Sequence, residues 1–274
     1  MSAAGNVELD RPPALPRPWT KARVIGYAVL ALWLLAGTGM VLFLVGSWSP
    51  EFFAKYGPWY GEGLLRTVIL VVVSIILGAV ISLPVAYARM SKNRILSALA
   101  YGYVYFFRGT PLLAQAFLVY YGSGAFRVQF EAVGLWWFFR EAWYCAIFAF
   151  SLNTAAYQAE ILRGAVESVP RGQWEGAASL GLHRLQTLRK IILPQALIVA
   201  LRPYGNEIIL MIKGSAVVAL ITVYDLMGMT RRIYSSSFDF QAYIWAGIIY
   251  MILVEALRYV IEWVERRITI HLKR

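Results

Sequence analysis

The sequence predicts an all-α polytopic membrane protein, and three features of the chain lead to this prediction. Of its 274 residues, 59% are hydrophobic and only 15% are charged, and the mean hydropathy is +0.59. Soluble domains are usually nearer half apolar and a quarter charged. Several long segments carry no charge, and the basic residues stand at their edges, as membrane orientation requires. The net charge of +11 therefore does not indicate a nucleic-acid partner.

Six segments are predicted as membrane spans, because about 20 apolar residues in a helix cross the hydrocarbon. They are Val24–Gly46, Thr67–Ala88, Ile95–Phe126, Trp143–Ala159, Ile191–Val223 and Gln241–Val264. The first is too long and too evenly apolar for the core of a signal peptide, so we expect it to remain as an anchor. FRGTP at Phe107–Pro111 interrupts the third span, and Pro203, Gly205 and Gly214 interrupt the fifth.

The distribution of lysine and arginine predicts that both termini lie in the cytoplasm. Sixteen of these residues fall in the tails and alternate loops assigned to that side, against six in the loops assigned to the other. The number of spans is then even. The proline-rich segment Met1–Thr20 is expected to be a disordered basic leader.

The cysteine and histidine content predicts neither a disulfide framework nor a metal site. The single cysteine, Cys145, lies inside an apolar run, and His183 and His271 lie far apart with no cysteine or carboxylate cluster near them. We expect no cofactor. The sequence also contains no G-x-x-x-x-G-K-[ST] phosphate-binding motif, so we do not expect the chain to bind ATP itself.

A polar stretch separates the fourth and fifth spans on the predicted cytoplasmic side. In SVPRGQWEGAASLG (168–181), Pro170 and Gly172 suit a sharp entry into a short helix, and Gly181 suits its C-terminal break. Glu175 is expected near the helix N-terminus, where its charge is favourable. The following segment, up to Ile192, reads as an amphipathic helix that enters the membrane. The small residues of the short helix, which would let a partner surface approach closely, are Gly176, Ala177, Ala178 and Ser179. An ordinary interfacial loop helix would fit the same pattern.

The order of these residues resembles the cytoplasmic signature of permease subunits in binding-protein-dependent ABC importers. That signature has the form E-A-A, three residues, G, nine residues, I-x-L-P. Its counterparts here are Glu175, Gly176, Ala177, Gly181, Ile191, Leu193 and Pro194. The one departure is Gly176, which stands where the first alanine is usual and lowers helix propensity by up to roughly 1 kcal/mol.

Three further segments are similar to the polar amino acid branch of these permeases. They are FRGTPLLAQ (107–115), LNTAAYQAEILRGAVESVPRGQ (152–173) and NEIILMIKGSA (206–216). The last is nearest to subunits that serve histidine, arginine, octopine or nopaline import. The resemblance covers about residues 61 to 267.

The resemblance implies the type I ABC importer permease fold, a five-helix core to which Val24–Gly46 adds one N-terminal transmembrane helix. It divides the chain into residues 1–60 (tail, extra helix and first external loop), 61–267 (transmembrane core with a coupling helix at about 168–181) and 268–274 (basic tail). The implied partners are a cytoplasmic ABC ATPase dimer that receives the coupling helix, a second permease subunit (homologous or identical), a periplasmic solute-binding protein and the lipid bilayer. The implied location is the bacterial inner membrane, and the implied cargo is a polar, basic amino acid or an opine.

Glu207 is the main candidate for the transport path, because a charge inside a span costs about 2.5–3.5 kcal/mol on insertion scales. It lies 16 residues past Ile191, roughly 24 Å along a helix. Pro203 and Gly205 are expected to loosen the backbone there, so that Glu207 faces the path next to Asn206 and meets a cationic side chain. The alternative is a salt bridge that holds two helices together, with Arg202, Arg108 or Lys213 as the partner.

Arg108, Gln115 and Asn153 complete the tentative path. Arg108 stands at the FRGTP break, where it could meet a substrate carboxylate, pair with Glu207, bind lipid phosphate or cap a helix. Gln115 and Asn153 are either path residues or hydrogen-bonding links between helices. Two pairs at i,i+3 spacing are expected to be local ion pairs near the cytoplasmic ends of their helices, namely Glu160 with Arg163 and Glu255 with Arg258.

Two other functions are weighed against an importer permease. A stand-alone secondary transporter or channel usually shows repeated halves within one chain, and none is visible here. An intramembrane enzyme would need a nucleophile–base pair or a metal cluster in a span, which the isolated cysteine and the two histidines do not provide.

Overall fold

Residues 19–269 are described in a computed structural model of the chain. This part of the chain is built from helices and contains no strand. It divides into two compact units, Met1–Pro50 and Glu51–Arg274. The predicted leader Met1–Thr20 falls almost wholly outside the described residues, and so do His271 and the basic residues that follow it.

The first unit contains helix α1, Lys21–Gly46. The hydroxyl of Thr20 caps its N-terminus by accepting a hydrogen bond from the amide of Arg23 at 3.3 Å. With 26 residues α1 is about 39 Å long. This length and its composition confirm the first predicted span.

The second unit contains long helices joined by short ones. They are α2 (Pro50–Arg89), α3 (Arg94–Gly109), α4 (Leu112–Ala125), α5 (Arg127–Ala132), α6 (Trp136–Phe139), α7 (Ala142–Glu167), α8 (Arg171–Ser179), α9 (Arg184–Thr187), α10 (Leu193–Ser215), α11 (Leu226–Ser237) and α12 (Gln241–Ile268). A short π-helix, Leu188–Ile192, leads into α10, and a 3₁₀-helix, Ala216–Ile221, follows it. Residues 50–60, expected to be an external loop, are instead the first turns of α2; the domain division at residue 60 stays a prediction.

Four helical segments of the described chain are long and apolar enough to cross a membrane. They are Lys21–Gly46, Pro50–Arg89, Arg184–Ile221 and Gln241–Ile268, which match the first, second, fifth and sixth predicted spans. The third predicted span is two helices, α3 and α4, of 16 and 14 residues that are separated at the expected break. The fourth predicted span lies in α7, which has 26 residues and packs against α3, α4 and α10.

Helix α7 lies at the centre of the unit, because small side chains allow its neighbours to approach closely. Helices α3, α4 and α10 all pack against it. Its fully buried residues include Ala146, Ala149, Ala155, Ala156 and Ala159. Such small residues at helix contacts are the usual means of association in membranes, where apolar burial alone gives little driving force.

The expected interruption of the fifth span at Pro203, Gly205 and Gly214 is wrong, because α10 continues through all three residues to Ser215. Gly205 has another role. A Cβ atom built at this position would lie 2.5 Å from Cγ2 of Ile261, so glycine allows α12 to pack closely against α10. The departures from α-helical geometry lie at the two ends of this span instead, in the π-helix before Leu193 and the 3₁₀-helix after Ser215.

Candidate functional site

Helix α8 has the short, sharply bounded form that the signature predicts. Pro170 occupies the N-cap, and the helix begins at Arg171. Gly181 has φ +70°, the left-handed conformation that favours glycine. Its amide donates to the carbonyl of Ala178 at 2.9 Å, and the amide of Leu182 donates to Ala177 at 3.1 Å. These two bonds form a Schellman motif, which ends the helix at the predicted residue.

One face of α8 is anchored and the other is exposed. Ala177 is buried, and Trp174 packs beside Val169 and Ile192, which ties α8 to the end of α7 and the segment that enters α10. Gly172 and Gly176 are exposed, and nothing lies within 4 Å of a Cβ atom built at either position. A partner surface can therefore approach the backbone of α8 closely along this face.

Two details of this loop differ from expectation or were not predicted. Glu175 lies in the second turn of α8, not in the first, so the position expected from the helix dipole is wrong. Leu180, which follows the helix, is 79% exposed and adds an apolar tip that the sequence analysis did not single out. Of the last signature residues, Leu193 begins α10 and Pro194 lies in its first turn, where its missing amide is tolerated.

The break between α3 and α4 is stabilised by the two amide side chains expected near the path. Proline has no amide hydrogen, so Pro111 cannot donate to the carbonyl of Phe107 four residues earlier. Nε2 of Gln115 and Nδ2 of Asn153 each donate to that carbonyl at 2.9 Å. Asn153 also donates to Oε1 of Gln115 at 2.9 Å. These bonds fit the helix-linking alternative for both residues, while their role in transport stays a prediction.

Replacing Gln115 with leucine is expected to destabilise this break. The carbonyl of Phe107 still accepts from Asn153, but the carbonyl of Thr110 loses its amide donor and the buried amide of Asn153 loses one acceptor. One buried polar group without a partner costs about 1–3 kcal/mol. We expect a lower midpoint of thermal unfolding for the purified protein, measured by tryptophan fluorescence. The control is Gln129→Leu, the same change at an exposed position of α5. An unchanged midpoint for Gln115→Leu would show that the break holds without these bonds.

Glu207 lies beside this break, at the wall of a cavity of about 330 Å³. Its side chain is only 7% exposed, and the hydroxyl of Thr154 donates to its Oε1 at 3.0 Å. The cavity is lined by Thr110, Pro111, Leu112, Asn153, Tyr157, Glu207, Leu210, Met211 and Gly214. A buried carboxylate thus shares one cavity with the end of a broken helix.

The salt bridge considered as the alternative for Glu207 is not formed with either arginine. Nε of Arg202 lies 2.6 Å from a carboxylate oxygen of Glu265, on α12. The guanidinium of Arg108 lies 4.0 Å from Glu160 and over the ring of Tyr157, 5.1 Å from its centroid. Among the ion pairs of residues 19–269, none involves Glu207, so the expected alternative with Lys213 is not formed there either.

Glu160 lies within 4.0 Å of three arginines, Arg89, Arg108 and Arg163. The predicted local pair with Arg163 is confirmed at 2.8 Å. The sequence did not predict that Arg89, at the end of α2, would also reach Glu160, at 2.9 Å. Two more cavities, of about 360 and 350 Å³, adjoin this cluster, and Arg108, Glu160 and Tyr157 line both. Since Tyr157 also lines the Glu207 cavity, this ring connects the two charged regions.

Asn206 does not share the Glu207 cavity, although the two residues are adjacent in sequence. Successive helix residues point about 100° apart, and Asn206 is exposed in a separate groove between α10 and α12. The second expected local ion pair is confirmed beside this groove. A guanidinium nitrogen of Arg258 lies 2.8 Å from a carboxylate oxygen of Glu255.

Asp225 is a buried carboxylate that sequence reasoning missed. It lies outside the apolar spans, at the N-cap of α11, where its Oδ1 accepts a hydrogen bond from the amide of Gly228 at 2.8 Å. Tyr250 donates to the other oxygen at 3.3 Å. Burial raises the pKa of Asp225 to about 6, against the lowering effect of these hydrogen bonds. An Asp followed by an apolar helix start was the available signal.

Residues 78–270 match the family described as the inner membrane component of binding-protein-dependent transport systems. The chain is 46% identical over 201 residues to the nopaline transport system permease protein NocM of Agrobacterium fabrum, covering 72% of this chain and 83% of that one. It is 37% identical over 217 residues to the arginine ABC transporter permease protein ArtM of Haemophilus influenzae, covering 79% and 95%.

A solved structure shows the same fold. It is the crystal structure of an amino acid ABC transporter with histidines, whose matching chain is 32% identical in sequence. The superposition has a TM-score of 0.71 and covers 81% of this chain and 99% of that one. The part of this chain left uncovered is therefore small.

Proposed function

The chain belongs to the inner membrane components of binding-protein-dependent transport systems, which are the permease subunits of ABC importers, and from this premise we propose that it imports a polar, basic amino acid or an opine. It has the type I permease fold with an additional N-terminal helix. The observation that carries the cargo proposal is Glu207, a buried carboxylate that faces a cavity of about 330 Å³. The similarity to a nopaline permease and an arginine permease supports the same class of solute.

The proposed energy source is ATP hydrolysis on a separate cytoplasmic ATPase dimer, so that the chain itself is a transport subunit and not an enzyme. Helix α8 is the proposed contact, because its exposed face is formed by Gly172, Glu175 and Gly176 and its anchored face is continuous with α7 and α10. A displacement of α8 would thus reach the helices on both sides of the Glu207 cavity. The other proposed partners are a second permease subunit, identical or homologous, and a periplasmic solute-binding protein.

Within the path, we assign the two oppositely charged groups of the solute to two residues, Glu207 and Arg108, which line cavities that share Tyr157. Glu207 would take the cationic group, since it has no arginine or lysine partner among the described ion pairs. Arg108 would take a carboxylate, because its side chain is 43% exposed and lies 4.0 Å from Glu160, a distance that leaves hydrogen bonds for a ligand. Gln115 and Asn153 would hold the shape of the break between α3 and α4, which lies near both Glu207 and Arg108.

Ligand-stimulated ATP hydrolysis by the assembled complex tests this proposal. The complex is reconstituted in liposomes with its binding protein, and arginine, histidine, octopine, nopaline and neutral amino acids are compared. We expect basic amino acids or opines to stimulate hydrolysis and uptake together. Solute movement by the purified chain alone would instead identify a stand-alone transporter or channel, which is the alternative function.

The proposed orientation in the bacterial inner membrane has both termini in the cytoplasm. A phosphatase or fluorescent reporter fused after Arg274 is expected to report the cytoplasmic side, because basic residues flank the end of α12. The fluorescence of a reporter that folds only in the cytoplasm measures this directly. Phosphatase activity at the same position would place the C-terminus in the periplasm and would contradict the proposed topology.

A further inference from the structure

Helix α12 presents three different faces. Leu253, Val254 and Leu257 pack against the core of the second unit. A second face is apolar and exposed, with Ile252, Tyr259 and Trp263 at 60%, 63% and 59% exposure. The third face carries a row of alternating charges, formed by Glu255, Arg258, Glu262 and Arg266.

These four charged residues form a continuous ion ladder. Arg258 lies 2.8 Å from Glu255 and 2.9 Å from Glu262, and Arg266 lies 3.5 Å from Glu262. The side chains of Glu255 and Arg258 are nevertheless 49% and 47% exposed. The four charged side chains therefore pair with one another along the helix, but their outward-facing sides remain exposed.

The length of the helix places part of the ladder inside the membrane. Helix α12 has 28 residues, and about 20 residues are needed to cross the hydrocarbon. Whichever 20 consecutive residues cross, Glu255 and Arg258 are among them. A charge that faces lipid costs about 2.5–3.5 kcal/mol at the centre of a membrane helix, and charged residues within spans therefore face the bundle interior or a water-filled cavity in almost all cases. The charged face is thus unsuited to lipid, unlike the apolar face beside it.

Helix α10 contributes charges to the same region. Arg202, whose side chain is 80% exposed, pairs with Glu265 of α12 at 2.6 Å. Arg202, Asn206, Arg258 and Glu262 line a groove of about 510 Å³ between the two helices. Polar groups at membrane depth are tolerated where they line water or protein.

Water fits this face better than a second copy of α12. Two copies inserted in the same orientation are related by an axis along the membrane normal, so equal residues stand at equal depth. Glu255 would then face Glu255, and Arg258 would face Arg258, and like charges at close range repel. The ladder has no net charge, so a water-filled space beside it would not exclude a solute of either sign.

We propose that the ion ladder of α12, together with Arg202 and Asn206 of α10, forms a wall of the water-filled conduit. This inference rests on the proposed transport function and adds a second polar surface to the Glu207 cavity. It also gives Asn206 a place in the conduit, on the α12 side of α10 rather than beside Glu207.

Two adjacent apolar residues provide a test that removes no charge. Met251 lies one turn from Glu255 on the charged face, and Ile252 lies about 100° around the helix on the apolar face. Their exposures are 62% and 60%. Each is replaced by cysteine in a Cys145→Ala background and labelled with a nitroxide; Cys145 is buried, so its removal leaves both faces unchanged.

Accessibility of the nitroxides is measured in the full complex in lipid nanodiscs, with a water-soluble nickel chelate and with oxygen. We expect the label at Met251 to collide several-fold more often with the chelate, and the label at Ile252 to collide more often with oxygen. Oxygen-dominated collisions at both positions would place the ladder against lipid. Shielding of Met251 from both reagents would place it against protein. Either result overturns the inference, and neither depends on which solute is transported.

Discussion

Tryptophan in place of Gly176 is expected to abolish ATP-driven uptake while the permease remains folded. Gly176 lies on the exposed face of α8, and nothing lies within 4 Å of a Cβ atom built there. The new side chain therefore meets no atom of this subunit. It would meet the proposed ATPase surface, and the loss of a tightly packed interface contact costs about 2–4 kcal/mol. This energy corresponds to a roughly 30- to 1000-fold weaker association.

The measurement is copurification of the ATPase with the tagged permease, followed by uptake into liposomes. Gly176→Ala is the matched control, because it changes the same position by one methyl group. Alanine also removes the low helix propensity of glycine, which is up to about 1 kcal/mol, so this variant should keep or improve assembly. Normal uptake by Gly176→Trp would show that α8 is an ordinary surface helix and that the ATPase binds elsewhere.

The ends of α8 could be predicted from the sequence because each depends on the backbone chemistry of one residue. Proline at 170 restricts the residue before the helix, and glycine at 181 adopts the left-handed conformation at little cost. The interruption between α3 and α4 was predictable for the same reason, from Gly109 and Pro111. Local rules were sufficient at these sites, since no distant contact opposes them.

The partners of polar residues could not be predicted in the same way, because they come from distant parts of the chain. The carbonyl of Phe107 is satisfied by Asn153, 46 residues later, and Glu207 by Thr154, 53 residues earlier. A sequence pattern identifies a residue that needs a partner but not the helix that supplies it. Residues as ordinary as Thr154 carry no signal of such a role.

The incorrect prediction of a helix break at Pro203 and Gly205 arises because a distant contact overrides a local preference. Both residues weaken an isolated helix, and the prediction of an interrupted span follows from that local preference. Packing overrides it here, since Gly205 lets α10 approach Ile261 of α12 and the helix continues. The separation of Asn206 from Glu207 follows directly, because in an uninterrupted helix adjacent residues point in different directions.

Changing Glu207 to glutamine is expected to reduce uptake of a cationic solute much more than uptake of its neutral counterpart. Glutamine keeps the size of the side chain and an oxygen that can accept from Thr154, so the fold around the cavity is preserved. What is lost is the negative charge. A hydrogen bond to a charged group contributes about 1.5–3 kcal/mol, which corresponds to a roughly 10- to 150-fold change in kcat/KM.

Arginine and citrulline suit this comparison, because they differ mainly in the charge of the terminal group. We expect the ratio of their kcat/KM values in the reconstituted complex to fall by the factor above in Glu207→Gln. Glu62→Gln is the control: it removes a carboxylate from the exposed pair with Arg66, and the ratio should not change. Equal losses for both solutes in Glu207→Gln would mean that the carboxylate only links α10 to α7 through Thr154. The cationic group would then have to be recognised by other residues of the conduit.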